Sequence, residues 1–337
     1  MISPNKPSIV RKDMDAVLTC MVSENIGPGE EAPKLVRAVC KDLGYQGGVA
    51  FSDLQRCFET ALDLAGAEEG DRVALSPLSP AWYYRVLKEK RLVPQLWDID
   101  ADSGDPVRVE GFDAAVKVVF CYHHLGIPQN LDYWRESGVP VIEDVTEIAG
   151  TLFRDETEEV PGNYALINLS EEGHFTAGGG GLLLAAGKKE YAALKKGLES
   201  LTPGSLLSNM AAVLGLSQWS RMDRFQKKRA EILSVYTPSL MKSRHRGFSL
   251  EEGRDYLPLK FSVLLRTGGK DVLAYAKKKK VSCENSFAGS VLEHYPEETV
   301  DLTGARQLSL RCVSFPLYPS LTNGDIDQIS KVLASLP

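Results

Sequence analysis

Between residues 47 and 142 the sequence changes character at a regular interval, and that rhythm limits the fold more than any other feature. Short β-rich runs at 49–51, 73–75, 93–97, 116–122 and 139–142 alternate with helical stretches at 54–65, 81–90, 112–115 and 131–137. Such alternation predicts an α/β layer fold with a largely parallel sheet and helices on its faces. In sheets of this kind ligands bind at the carboxyl ends of the strands. The informative positions should follow each run: Ser52, Asp53 and Leu54, then Ser76 to Pro80, His123 and His124, Asp144, and the turn from Ser170 to Gly181.

That last turn is unusual. An apolar run at 165–169 enters Ser170-Glu171-Glu172-Gly173, then His174 and Phe175, then four consecutive glycines, Gly178 to Gly181, before apolar sequence resumes at Leu182. Each glycine loses much backbone entropy on folding. Four together fit a tight turn or a close backbone approach, and local sequence leaves both a hairpin tip and a ligand-facing loop open.

The flanks are simpler. Residues 1–30 read as an arm with a helix at 12–22 and a Gly-Pro-Gly turn, and 31–43 reads as a second helix. A long helical segment is expected over 206–236, its charged second half typical of a helix linking two domains. Beyond it, strands are expected at 257–265 and 308–315 and helices at 269–279 and 323–336, with Thr322 as an N-cap. The domains expected are therefore 1–236, an arm with a large domain, and 237–337, a small C-terminal α+β domain.

Composition excludes several functions. The net charge of −6 argues against a nucleic-acid surface, and the lysine run from Lys277 to Lys280 reads as a solvated helix end. No window has the apolar length of a membrane span, and the N-terminus lacks the apolar region of a signal peptide. Six cysteines are scattered without a C-x-x-C pair, so neither zinc nor a disulfide framework is indicated. A cytosolic protein is expected. His123 and His124 follow a strand, but adjacent side chains on extended backbone face opposite ways, so a shared metal ion is not expected.

Six segments, in order, resemble the DegT-type sugar aminotransferases of PLP-dependent fold type I. GDRVALSPLSPA at 70–81 is similar to the family's G-D-E-V-I-x-P strand and turn, and PQLWDIDADSGD at 94–105 to its strand ending in D-x-D. VKVVFCYHHLGIPQNLD at 116–132 resembles K-A-I-I-x-V-H-x-x-G-x-x-x-x-M-D, and VPVIEDVTEIAGT at 139–151 resembles V-I-E-D-A-A-Q-A-x-G. NMAAVLGLSQW with RAEILSVY looks like the interdomain helix, and SFPLYPSLTNGDID like L-P-x-x-P-x-L-T-x-x-D-x-D. The resemblance implies an aminotransferase-like large domain, three layers α/β/α around a mainly parallel sheet, and the small α+β domain. It also implies a homodimer with its active site at the interface, PLP or PMP as cofactor, and a nucleotide-linked sugar or other small molecule as ligand.

Matched residue by residue, the family's chemistry transfers only in part. Asp144 stands where a carboxylate pairs with the pyridine nitrogen and keeps the ring an electron sink. Glu147 stands where the family has glutamine. The phosphate cradle, commonly S-G-T at a helix start, reads Asp53-Leu54-Gln55, an aspartate that would cap the helix but repel phosphate, with Arg56 able to offset part of the charge. The stacking aromatic is replaced by Pro80 or displaced onto Trp82, and the N-x-R element lent by the neighbouring subunit reads Gly204-Ser205-Leu206. The Schiff-base lysine falls on Gly173, or on His174 with a one-residue shift, and no lysine lies between Arg154 and Lys188.

Two readings follow. Four simultaneous departures suggest a non-catalytic or repurposed ligand-binding dimer, without covalent PLP and with no cofactor required. Alternatively, sugar 3-dehydratases of the family use histidine in place of the lysine. On that reading His174 is the acid/base of a PMP-dependent, dehydratase-like enzyme on a nucleotide-linked sugar, with Asp144 on the ring nitrogen; an ordinary PLP aminotransferase would need an amine that nothing supplies.

Overall fold

Seven strands make the main sheet of this computed structural model, which describes residues 1–102, 104–107, 115–154, 162–199, 201–248 and 256–337. They are β1 (Gly47–Phe51), β2 (Arg72–Leu75), β3 (Val93–Leu96), β4 (Val116–Tyr122), β5 (Val141–Asp144), β6 (Tyr164–Asn168) and β7 (Gly181–Ala185). Their order is β1-β7-β6-β5-β4-β2-β3. The pairs from β6 through β5, β4 and β2 to β3 are parallel, and β7 runs antiparallel between β1 and β6. The parallel rhythm is as the sequence predicts. The glycine turn supplies the antiparallel exception, since it joins β6 to β7 as a hairpin.

Side-chain alternation divides the core between the two faces of the sheet. Leu166 and Leu183 face one way, into a cluster with Phe58 and Leu62 of the helix Leu54–Leu64, Tyr83 and Leu87 of Ala81–Glu89, and Leu194 of Lys188–Leu198. Ala165, Ile167, Leu182 and Leu184 face the other way, against Leu35, Val36 and Val39 of Glu31–Leu43 and Ala212 of Asn209–Trp219. The result is three layers, α/β/α.

A second sheet lies later in the chain: β8 (Arg246–Gly247), β9 (Phe261–Leu264), β10 (Glu284–Asn285) and β11 (Cys312–Phe315), in the order β10-β11-β9-β8. Its helix Asn323–Leu333 begins where expected, because the Thr322 hydroxyl accepts from the Asp325 N–H while Asp325 reaches back to the Thr322 N–H.

Three expectations need correction. The segment 308–315 is not all strand: helix Thr303–Arg311 precedes β11. The period decides it, since Leu308 is fully buried while Leu310 is 62 % exposed, which a strand placing both on one face could not do. The expected strand at 257–265 narrows to β9. The single helix at 206–236 is two, Asn209–Trp219 and Met222–Leu240. Leu206 and Leu207 are instead extended against β1, with Leu207 N–H donating to Ala50 O at 3.0 Å, and Ser208 caps the first helix through Ala211 N–H. The helix expected at 112–115 lies, but for Ala115, outside the described residues. No helix among the described residues is long and apolar enough to cross a membrane.

Candidate functional site

Asp144 ends β5, next in register to Tyr122 of β4 and Leu166 of β6, at the carboxyl edge where a parallel sheet exposes its ligand groups. Here that carboxylate is closed in. Tyr83 donates its hydroxyl to Asp144 Oδ2 at 2.5 Å, and Thr146 N–H donates to Oδ1 at 2.9 Å. Burial pushes the Asp144 pKa up, and these hydrogen bonds pull against it. The Tyr83 ring, 0 % exposed, is held by Phe120 at 4.2 Å between centroids, by Phe58 edge-on at 4.8 Å, and by Trp82 at 3.6 Å. Trp82, expected as a displaced stacker, thus stacks on the chain's own tyrosine.

Glu147 shares this edge. Tyr122 donates its hydroxyl to Oε1 at 2.6 Å and Gly126 N–H donates to Oε2 at 3.1 Å, so both carboxylate oxygens are occupied. Burial raises its pKa, Tyr122 opposes the rise, and the Lys260 ammonium opposes it further.

At the start of helix Leu54–Leu64 the geometry is that of a capped end. Asp53 Oδ1 accepts from Gln55 N–H at 2.6 Å. Leu54 turns into the core, and Gln55 donates its amide to Glu59. Arg56, which could have offset the Asp53 charge, pairs with Glu59 at 3.1 Å. The segment Gly204-Ser205-Leu206, expected at the N-x-R position, lies over this end: Ser52 N–H donates to Ser205 O at 2.9 Å and its hydroxyl reaches Gly204 O at 3.2 Å.

The glycine turn answers the question it raised. Gly178, Gly179 and Gly180 have φ of 81°, 143° and 90°, values that L side chains rarely adopt. The close approach at Gly180 is to protein, since a Cβ there would lie 2.5 Å from Phe51 O. Gly173, one of the two positions where the resemblance would put the lysine, has no room for a side chain: a Cβ would meet Phe175 O at 2.9 Å and Asn168 O at 3.1 Å. His174 is buried, its Nε2 3.0 Å from Glu147 O and its Nδ1 3.4 Å from Gln226 Nε2, and Gly150 is needed because a Cβ there would lie 2.5 Å from the imidazole.

Burial, aided by the nearby Arg229 guanidinium, pulls the His174 pKa well below its ordinary value. The sign of the consequence is definite. On acidification below about pH 6.5 the unfolded chain takes up a proton at this position and the folded chain does not, so stability falls by up to about 1.4 kcal/mol per pH unit. His174→Gln should flatten that dependence, seen as the wild type's advantage in urea midpoint over the variant being smaller at about pH 5 than at about pH 7. Parallel profiles would show that His174 is not buried as a neutral ring.

His123 and His124 do face apart. His123 Nδ1 accepts from Gln129 N–H at 2.9 Å, which leaves its proton on Nε2, 3.4 Å from Glu143 Oε1. His124 Nε2 lies 3.0 Å from Gly104 O, and burial lowers its pKa to about 4. Between this corner and the second sheet is a cavity of ≈ 40 Å³, lined among others by Leu78, Tyr122, His124, Glu147, Ser286 and Ser290. His124 Nδ1 and Ser290 Oγ are buried without a hydrogen-bond partner. Sequence reasoning passed over Tyr83 and Ser290.

Known proteins repeat this arrangement of elements. Residues 7–334 match the profile of the DegT/DnrJ/EryC1/StrS aminotransferase family. The chain belongs to that family. Among solved structures it is similar to the aminotransferase TlmJ from Streptoalloteichus hindustanus, 20 % identical with a TM-score of 0.86 over 99 % of this chain and 98 % of that one. It also resembles PseC of Helicobacter pylori, an aminotransferase involved in pseudoaminic acid biosynthesis, at 14 % identity and TM-score 0.85, with 98 % of each chain covered. A third neighbour, the putative sugar aminotransferase Spr1654 from Streptococcus pneumoniae, is solved in a PMP-form at 15 % identity and TM-score 0.85, covering 99 % of this chain and 96 % of its own. At these identities the likeness establishes the fold, and the chemistry has to be argued from the residues.

Proposed function

We propose that this chain is a non-transaminating member of its family, a cytosolic homodimer that binds a small polar ligand, such as part of a nucleotide-linked sugar, and holds no covalent PLP. One observation carries the reading: the Asp144 carboxylate, which would meet a pyridine nitrogen, is occupied by the Tyr83 hydroxyl at 2.5 Å. The residues at that edge do not fit the cofactor. The tyrosine hydroxyl takes up the carboxylate, the aspartate at the helix start repels phosphate, and Gly173 has no space for the Cβ of a lysine. The cavity of ≈ 40 Å³ holds about three water-sized groups. Its unpaired serine hydroxyl and imidazole nitrogen suit hydroxyl groups of a ligand.

The enzyme reading asks His174 to exchange protons with a bound ligand. Both ring nitrogens instead face Glu147 O and Gln226, and burial with the Arg229 charge disfavours protonation of the ring. That arrangement supports a structural role.

The deciding experiment mixes the purified protein with PLP and with PMP, following heat of binding and visible absorbance. The expected result is no binding up to about 1 mM, a free energy weaker than about −4 kcal/mol. Micromolar binding of either form, or dehydration of a nucleotide-sugar panel that His174→Ala removes, would overturn the reading.

The dimer is supported by one face of helix Arg11–Val22, where Met14, Leu18 and Met21, at i, i+4 and i+7, are all exposed, with Ile26 just beyond. Leu18→Glu should lower the particle mass measured by light scattering to the 37.0 kDa of one chain. A wild-type protein already of that mass would exclude the dimer.

A further inference from the structure

A second cavity has no place in that reading. It lies where the N-terminal arm crosses the turn bearing His174, and Lys6, Ser8, Glu171, Gly173, His174 and Arg229 are among its lining residues. Its enclosed volume is ≈ 10 Å³, room for one water-sized group, and it opens to solvent.

Arg229 is the anomaly within it. The side chain sits in the charged part of helix Met222–Leu240, where a solvated position is expected, yet it is only 3 % exposed. Its Nε and Nη1 have no hydrogen-bond partner. Burial, with no carboxylate offsetting it, pulls its pKa down to about 9. Glu171 stands at the exposed rim and does not neutralise it; its backbone carbonyl holds Asn5 of the arm at 3.1 Å. An arginine in the same helical region shows the ordinary solution, since Arg221 is paired with Asp13 at 2.5 Å. A buried cation without a partner is costly, and guanidinium is the side chain best shaped to grip a planar or tetrahedral oxyanion. Beside it, the buried Ser8 hydroxyl also lacks a partner, and Lys6 adds a second positive charge to the lining.

We propose that this cavity is an anion site in which Arg229 seats one oxyanion, a carboxylate or phosphate group, with Ser8 and Lys6 completing the cradle. The enclosed space takes the oxygen that meets the guanidinium, and the rest of the anion stands in the open mouth. Occupancy ties the arm, residues 5–8, to the turn. It also reaches His174, because the Arg229 charge is one of the two influences that keep that ring neutral. A bound anion offsets that charge, so His174 should titrate closer to its ordinary value.

The test titrates the full-length protein with inorganic phosphate, with acetate and with chloride at constant ionic strength, following the melting temperature and the His174 ring resonances. Expected is a saturable rise in melting temperature with phosphate or acetate, beyond any chloride effect, together with an upward shift of the His174 titration. Phosphate binding at least tenfold tighter than acetate assigns the site to phosphate groups, and the reverse to carboxylates. Arg229→Met, which keeps the apolar stem, should abolish both responses while remaining as stable as wild type in anion-free buffer. If that variant does not fold, Ser8→Val and Lys6→Ala on the arm decide, each expected to weaken binding severalfold. No saturable response in the wild type, or unchanged affinity in the arm variants, would overturn the proposal. None of these readouts depends on PLP, so this inference and the functional reading can fail separately.

Discussion

Tyr83→Ala is expected to destabilise the protein by about 3–5 kcal/mol, the range for deleting a large buried ring whose site cannot collapse. Collapse is hindered here because Phe58, Phe120 and Trp82 are held by the sheet and by two helices rather than by a loop. Tyr83→Phe separates the two parts of the effect. It keeps the ring and removes only the donor to the buried Asp144 carboxylate, at a cost of about 1.5–3 kcal/mol for a hydrogen bond to a charged group. Urea denaturation of the three proteins measures both. The functional outcome is equally specific: the cavity left by Tyr83→Ala should not acquire PLP, because Asp53 still caps the helix start and Gly173 still lacks a side chain. If Tyr83→Ala gained micromolar PLP affinity, the tyrosine would be a lid over an intact cofactor site, and the proposed function would need revision.

That tyrosine marks the boundary of what could be read from residues alone. The alternation over 47–142 specified the sheet because period-2 and period-3.6 patterns are local, and helix starts such as Thr322 and Asp53 are local too. Asp144 was legible because it follows a strand in a matched motif. Tyr83 was not: in sequence it is an aromatic residue in an amphipathic helix, indistinguishable from its neighbour Tyr84, which is equally buried and packs on Tyr295 instead. Only the tertiary packing of helix Ala81–Glu89 decides which of the two meets the carboxylate. The same limit applies to Arg229, which shares its cavity with residues of the arm and of the turn bearing His174, and to Ser290, which comes from a distant segment. The glycines carried a true signal of close approach, but the approaching group, Phe51 O, lies 129 residues earlier in the chain.

The other large effect expected is at Asp13, a residue that the sequence presents as one more charge in a surface helix. Its carboxylate is 0 % exposed and accepts four hydrogen bonds: from Val10 N–H at 2.9 Å, Ser217 Oγ at 2.7 Å, Gln218 Nε2 at 2.8 Å and Arg221 Nη2 at 2.5 Å. The arm helix, the end of helix Asn209–Trp219 and the Arg221 break before Met222–Leu240 all converge on this one group. Asp13→Ala removes the acceptor and leaves the mostly buried Arg221 guanidinium unpaired, for an expected loss of about 3–5 kcal/mol. Arg221→Met made in the same background should restore part of that loss, because it removes the stranded charge, and the double-mutant cycle isolates the pair from the other three bonds. Urea midpoints of the four proteins give the coupling. Additive losses would mean that Asp13 acts on the arm through Val10, Ser217 and Gln218 alone. The arm also carries Lys6 and Ser8, so loosening it through Asp13 should weaken anion binding at Arg229 even though Asp13 does not line that cavity.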